Sequence, residues 1–242
     1  MNEELNTIIQ NFENSGEIFA DGKRNKIKIF HYQGLIINIK SFKIPILING
    51  IIYKYFRKSK AKRSFENANF LIQKGIGTPK PIAFYENFSG VFLKQSYYVC
   101  EHLKPDFVFK NIFENLPNLD EEKMLIGITQ FTYNLHENGI EFLDHSPGNT
   151  LIKIDSLGNY DFFLVDLNRM NFHENMSFDI RMKNLRKLTP SKEMTQIISK
   201  EYARLCNKSE TEVFEALWLQ TSTFQHKFLR KQAMKKKLIF WK

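Results

Sequence analysis

Three polar side chains, by type and spacing, could do chemistry in this sequence. Asp144 and Asn149 lie on one short loop, FLDHSPGN, which runs directly into the apolar stretch TLIKI. Asp166 follows a second apolar stretch, DFFLV, and the two stretches are joined through Gly158 and Asn159. If they pair as an antiparallel hairpin, the residue before the first strand and the residue after the second emerge at the same open end. Neighbouring strands lie about 5 Å apart, so Asn149 and Asp166 are expected within reach of one shared ion. Pro147 and Gly148 tighten the loop and fold Asp144 back over the same mouth. An amide oxygen and a carboxylate are hard donors that suit Mg2+, which completes its shell with water and phosphate. A second carboxylate held out of that shell can take the proton of an attacking hydroxyl. The expected chemistry is phosphoryl transfer. Asp, Asn, Pro and Gly are also ordinary turn formers, and the loop alone would pass for a plain turn. Asp166, arriving after a buried strand, tips the reading toward a site.

The elements that must position these residues are legible as patterns. IKIF and LIINIKSF, separated by a turn at Gln33-Gly34, read as strands within a strand-rich stretch from 17 to 56. In SKAKRSFENANFLIQKG, Ala61, Phe65, Ala68 and Ile72 recur at helical spacing, with Ser59 as N-cap, Gly75 as stop and Pro79 beyond. SYYVCEHL reads as a strand ending in polar residues. After about residue 104 the pattern turns helical, with Leu125, Ile128, Phe131 and Leu135 on one face of a segment that terminates at Gly139. The catalytic loop and hairpin follow, and helical periodicity returns from Ser177. This predicts an α+β chain in two lobes: a small sheet-plus-helix lobe over 1–101 and a larger, mainly helical lobe with one hairpin over 102–242.

Bulk properties exclude several classes. With 242 residues, 43% hydrophobic and 25% charged, the chain is globular and long enough for a real core. Its two cysteines, Cys100 and Cys206, form no CxxC, which argues against a disulfide framework or a cysteine zinc site. The N-terminus carries acids where a signal peptide needs basic residues, and the most apolar run, IPILINGIIY, is too short to span a bilayer. A cytoplasmic protein is expected. The net charge of +9 is clustered in RKSKAKR and in HKFLRKQAMKKKLIFWK, runs that attract phosphates on nucleic acid or on an anionic membrane. A solvated helix face would look the same. Phe224, Phe228, Leu238 and Trp241 interleave with the second run, which suits a membrane interface and equally a helix docked on its own domain.

In this order the residues resemble the protein-kinase-like superfamily and, more narrowly, the bacterial lipopolysaccharide kinases that phosphorylate the inner-core sugar Kdo or heptose. FLDHSPGN supplies the aspartate and the asparagine five positions later of the catalytic loop, as Asp144 and Asn149, and FLVDLNR supplies the metal-binding aspartate, Asp166. The resemblance implies further roles. Lys40 in LIINIKSF matches the lysine that meets the nucleotide phosphates, and Glu66 in KAKRSFENA matches the helix glutamate that pairs with it. YYVCEHL matches the hinge strand that contacts adenine, around Val99 to Glu101. The match spans about residues 15–170 and implies a protein-kinase-like two-lobe fold, ATP and Mg2+ as cofactors, and Asp144 as catalytic base. The implied acceptor is a lipopolysaccharide core or lipid A precursor. The implied location is cytoplasmic, peripheral at the inner face of the inner membrane, with basic segments meeting an anionic surface and nucleic acid not expected as a partner.

There are departures. Phe142 stands for the histidine of HRD, Asn168 for the glycine of DFG, and no GxGxxG loop is present, so ENSGE or DGKRN is the expected phosphate turn. No APE segment follows Asp166 in the short remainder of the chain, which favours a small-molecule or glycolipid acceptor over a protein. His136, His145 and His173 lack metal-ligand spacing, and Ser146 lies outside any GxSxG motif. His145 is expected as a loop or acceptor contact and Ser146 as a cap. Arg169 and Arg181 could steady the loop or form structural ion pairs. The alternatives are a kinase-fold enzyme with a protein, an RNA-associated factor or a soluble small molecule as acceptor, and a non-catalytic kinase-like scaffold.

Overall fold

The computed structural model describes residues 3–22, 25–42, 58–90, 92–114, 116 and 119–239. The apolar run at 44–53, Arg57, Lys23 and Arg24 of DGKRN, and the side chains of Leu238 and Trp241 lie outside the described residues. The chain folds as two compact units. The first comprises Met1–Lys104 with Phe163–Arg169, and the second Pro105–Phe162 with Met170–Lys242. The stretch carrying Asp166 therefore belongs with the sheet unit, a return that a linear boundary near residue 101 does not express.

The first unit is built on a five-stranded antiparallel sheet of order β1-β2-β3-β5-β4. Its strands are β1 (Glu17–Asp21), β2 (Asn25–Tyr32), β3 (Leu35–Phe42), β4 (Pro81–Ser89) and β5 (Phe92–Glu101). Alternation along the strands sends Phe30, Tyr32, Ile37, Ile39, Tyr97 and Val99 to one face, where they bury with Leu5 and Phe12 from the N-terminal segment. That segment opens with α1 (Glu3–Gln10), an element that the patterns above did not reveal. The signal was present: Leu5, Ile8, Ile9 and Phe12 follow the i, i+3, i+4, i+7 spacing of a helix face. Lys28, itself buried, locks this segment down, its Nζ donating to the carbonyls of Phe12 (2.7 Å), Glu13 (3.0 Å) and Ser15 (2.8 Å). The second helix, α2 (Lys60–Gln73), starts as expected at Ser59, whose side chain accepts from the Lys62 N–H. It buries Ala61, Ala68 and Leu71, and its Phe65 ring meets Phe84 of β4.

The second unit is mainly helical. A short strand β6 (Phe107–Val108) and a 3-10 turn precede α3 (Glu121–Glu137), which Asp120 caps. Then come β7 (Ile140–Phe142), β8 (Thr150–Ile154), β9 (Tyr160–Leu164), β10 (Met170–Phe172), α4 (Phe178–Leu185), α5 (Lys192–Cys206) and α6 (Glu210–Ile239). β8 and β9 form the expected hairpin, extended by β6, and β7 pairs with β10. These two- and three-residue strands are too short to register as a period. The core joins Met124, Leu125 and Ile128 of α3 to Met182 and Leu185 of α4, Ile198 and Tyr202 of α5, and Val213 and Leu217 of α6. Gly139 ends α3 with φ +68, and its carbonyl accepts from the His173 N–H at 2.8 Å. A Cβ there would run into the His173 carbonyl, so the close crossing of the two chains requires glycine. Among the described residues no helix is long and apolar enough to cross a membrane.

Candidate active site

In the first unit the structure brings Lys40 and Asp166 together, with Nζ 2.7 Å from Oδ1. Strand alternation explains why Lys40 is available. Ile37 and Ile39 point into the face covered by α1, so Lys40 points to the other face, beside Phe42. Asp166 reaches it from a segment pinned to the region around α2 and β4. Leu164 N–H donates to the Gly77 carbonyl, Thr78 Oγ1 to the Leu164 carbonyl (2.8 Å), and Asn67 Nδ2 to the Leu167 carbonyl (2.6 Å). Asp166 adopts φ +63, a left-handed conformation that Asp tolerates and that re-aims its side chain just after β9. Asn168, in the place of the DFG glycine, donates Nδ2 to the same Oδ1 at 2.7 Å. Both contacts fall on Oδ1.

Two expectations about this unit are corrected. Glu66 does not pair with Lys40; its carboxylate meets Lys58 Nζ at 2.8 Å on the exposed side of α2. The neighbouring α2 residue, Asn67, is the one that reaches the Asp166 segment, and Asp166 itself takes the Lys40 charge. Val99 is fully buried in the α1-side cluster. It sits opposite Ile39 and Ala83 on an internal strand whose main chain is used along both edges, so neither its side chain nor its backbone can contact adenine. The register puts Tyr98 opposite Lys40 and Cys100 opposite Asn38, so these two share the Lys40 face. Counting in twos from Lys40 across the strand pair would have found them. Glu101 ends β5, its N–H donating to the Lys80 carbonyl and its carboxylate 3.3 Å from Lys80 Nζ. Of the two expected phosphate turns, ENSGE gives its Glu13 and Ser15 carbonyls to Lys28. Of DGKRN, Asp21 closes β1 and Asn25 opens β2, and Gly22 N–H donates to the Asn25 carbonyl.

In the second unit the loop from 143 to 149 is held by its own carbonyls. Asn184 Nδ2 donates to the Phe142 carbonyl (2.8 Å), Lys187 Nζ to the Leu143 carbonyl (2.7 Å), and Asn149 Nδ2 to the Asp144 carbonyl (2.8 Å). Three consecutive peptide groups around the candidate base are thus fixed by side chains. The bond from Asn149 also orients its amide: with nitrogen donating inward, Oδ1 is left as the hard donor. Ser146 stands at the N-cap of the 3-10 turn Pro147–Asn149, yet its side chain makes no capping bond.

Two buried histidines support the loop from behind. Thr132 Oγ1 donates to the Ile128 carbonyl, so it accepts from His145 Nε2 at 2.9 Å. That assigns the proton to Nε2 and leaves buried Nδ1 with no partner among the described residues. Burial pushes the His145 pKa down to about 3, helped by the positive fields of His136 and Lys187. His136 donates Nε2–H to Asn184 Oδ1 (3.2 Å) and takes the Tyr202 hydroxyl on Nδ1 (2.8 Å), and burial lowers its pKa to about 4. Sequence reasoning missed Thr132, Asn184 and Lys187, because a polar residue inside a helical pattern gives no sign of the carbonyl or ring it will serve. His173 pairs with Glu141 (2.9 Å), and Arg181 with Glu137 and the Met176 carbonyl, both structural contacts.

The first unit thus carries a lysine–aspartate pair on a five-stranded sheet, and the second an Asp-x(4)-Asn loop braced by helix residues. The model of the lipopolysaccharide kinase (Kdo/WaaP) family matches residues 44–208, more than half of the chain. The chain belongs to that family and is a kinase, a phosphotransferase with an alcohol group as acceptor. Among solved structures it is similar to WaaP in complex with acyl carrier protein, at 14% identity and a TM-score of 0.63, over 91% of this chain and 90% of that one. It is also similar to a crystal structure of WbdD, at 12% identity and a TM-score of 0.50, over 86% of this chain and 46% of that one. At these identities the likeness shows the fold. The comparison with curated proteins gave no match.

Proposed function

We propose that this kinase transfers the γ-phosphate of ATP to a hydroxyl of Kdo or heptose in the lipopolysaccharide inner core. The observation that carries the proposal is the Lys40–Asp166 ion pair, which sets a phosphate-binding cation beside a metal-binding carboxylate. Lys40 binds the nucleotide phosphates, its charge handed from Asp166 to the α and β groups. The residues present fit Mg2+: Asp166 keeps Oδ2 outside its two internal contacts, and Asn149 offers an oriented Oδ1. Both are hard oxygens, and Mg2+ takes one or two such protein donors beside water and phosphate. Held by these two residues, Mg2+ would supply charge neutralisation on the triphosphate. Asp144 accepts the proton of the acceptor hydroxyl as its oxygen forms a bond to the γ-phosphorus; the bond to the bridging oxygen breaks, and ADP leaves with that electron pair. Glu101 contributes at the adenine end of β5, and Tyr98 and Cys100 line the Lys40 face.

The acceptor class rests on family membership and on the net charge of +9, which favours an acidic glycolipid. We place the protein in the cytoplasm, peripheral at the inner face of the inner membrane. The acyl carrier protein in the WaaP structure makes a protein of that class a second partner to test. The experiment is thermal unfolding with and without ATP and Mg2+. Wild type is expected to rise in melting temperature and Asp166→Asn to show no rise. A wild type indifferent to nucleotide would overturn the proposal.

A further inference from the structure

We propose that a groove in the helical unit seats the lipid part of an anionic glycolipid; the inference rests on the acceptor class proposed above. The groove, about 320 Å³, runs between the connection at 186–190 and the later turns of α6. Its volume lies at the lower end of the roughly 300–1,000 Å³ typical of small-molecule sites. One wall is Arg186, Lys187 and Pro190, and the other is Phe224, Phe228 and Leu229.

Three observations converge on an amphiphilic anion. First, α6 changes character along its length. Val213, Leu217 and Thr221 are buried in the unit, whereas every described side chain from His226 to Lys235 is exposed. Phe228 and Leu229 are 51% and 61% exposed there, an apolar pair of the kind that marks a binding surface when it borders a groove. Phe224 and Phe228 stack at 6.3 Å between centroids, giving that wall a continuous apolar surface. Second, the charge is of one sign. No acidic residue lines the groove among the described residues, Arg186 lies over the Phe224 ring with its Nε buried and unpartnered, and Lys227, Arg230 and Lys231 follow along α6. An acyl chain on the aromatic wall would bring a phosphate or carboxylate to these cations. Third, one side chain links the groove to the 143–149 loop within the same unit. Lys187 lines it and donates to the Leu143 carbonyl, one residue from Asp144. Through Lys187 a lipid held here lies one side chain away from the loop that carries the base.

The test uses the full chain and lysophosphatidylglycerol, a single-chain anionic lipid, titrated below its micellar concentration, with zwitterionic lysophosphatidylcholine in a parallel arm. The variant is Phe228→Asp with Leu229→Asp, two exposed positions outside the packed part of α6; an unchanged melting temperature confirms its fold. Wild type is expected to bind the anionic lipid in preference to the zwitterionic one, and the double variant about tenfold or more weakly, as loss of apolar contact dictates. Arg186→Gln is expected to remove the preference for the anionic headgroup. Equal affinity in wild type and double variant, or no binding by wild type, would overturn the groove assignment. So would binding of an acidic acyl carrier protein that the lipid does not displace, which would give the surface to a protein. Transfer to a deacylated core sugar is expected to survive in the double variant. If neither protein transfers phosphate to that sugar, the acceptor class fails while the lipid titration still decides the groove.

Discussion

Lowering the pH from 7.5 to 5.0 charges two histidines in the unfolded chain that the folded protein keeps neutral. His136 and His145 are buried behind the catalytic loop, with pKa values pushed down to about 4 and about 3. In the unfolded chain both return to about 6.5. A histidine with a depressed folded pKa contributes its full stability above pH 6.5 and loses it as the pH falls toward the folded value, because only the unfolded state takes up the proton. Linkage makes the loss about 2 kcal/mol per histidine between pH 7.5 and 5.0, and about 4 kcal/mol for the pair. Urea denaturation of wild type and His145→Gln at both pH values isolates the effect, since carboxylates titrate alike in the two proteins. A glutamine amide can still donate to Thr132 but does not titrate. The acid-induced loss is expected to be about 2 kcal/mol smaller in the variant. An equal loss in both would show that His145 does not sit neutral in the folded loop and would remove the assignment of its proton to Nε2.

Two further outcomes follow from single contacts. Lys28→Met removes the ammonium that holds the carbonyls of Phe12, Glu13 and Ser15, leaving the buried Phe12 carbonyl unpaired. A loss of about 3 kcal/mol in urea denaturation is expected, with α1 losing amide-exchange protection before the sheet does. Asn184→Ala frees the Phe142 carbonyl and His136 while touching no substrate. The turnover number should fall roughly tenfold to a hundredfold as the loop loses its geometry, while the nucleotide-induced rise in melting temperature is kept.

The sequence carried β2, β3, β5, α2, α3 and the hairpin because each repeats its period for several residues. Asp144, Asn149, Lys40 and Asp166 stood out because their order along the chain is itself a pattern. Other features depend on which way a side chain faces. Val99 and Cys100 differ by one position, yet alternation puts one in the core and the other on the Lys40 face. Glu66 and Asn67 are likewise neighbours, and it is Asn67 that reaches the Asp166 segment. Two braces on the loop carbonyls were hidden for another reason: they come from Asn184 of α4 and from Lys187, two residues past its end, more than thirty positions from the loop they hold. Such long-range hydrogen bonds leave no trace in local composition.

The most direct measurement of the central claim is transfer of labelled γ-phosphate from ATP to Kdo-lipid A and to a heptosylated core, by wild type and by Asp144→Asn. The expected result is Mg2+-dependent label in one glycolipid with wild type, falling at least about a hundredfold in the variant, as loss of a general base requires. Undiminished transfer by Asp144→Asn, or no transfer by wild type to either acceptor, would contradict the account.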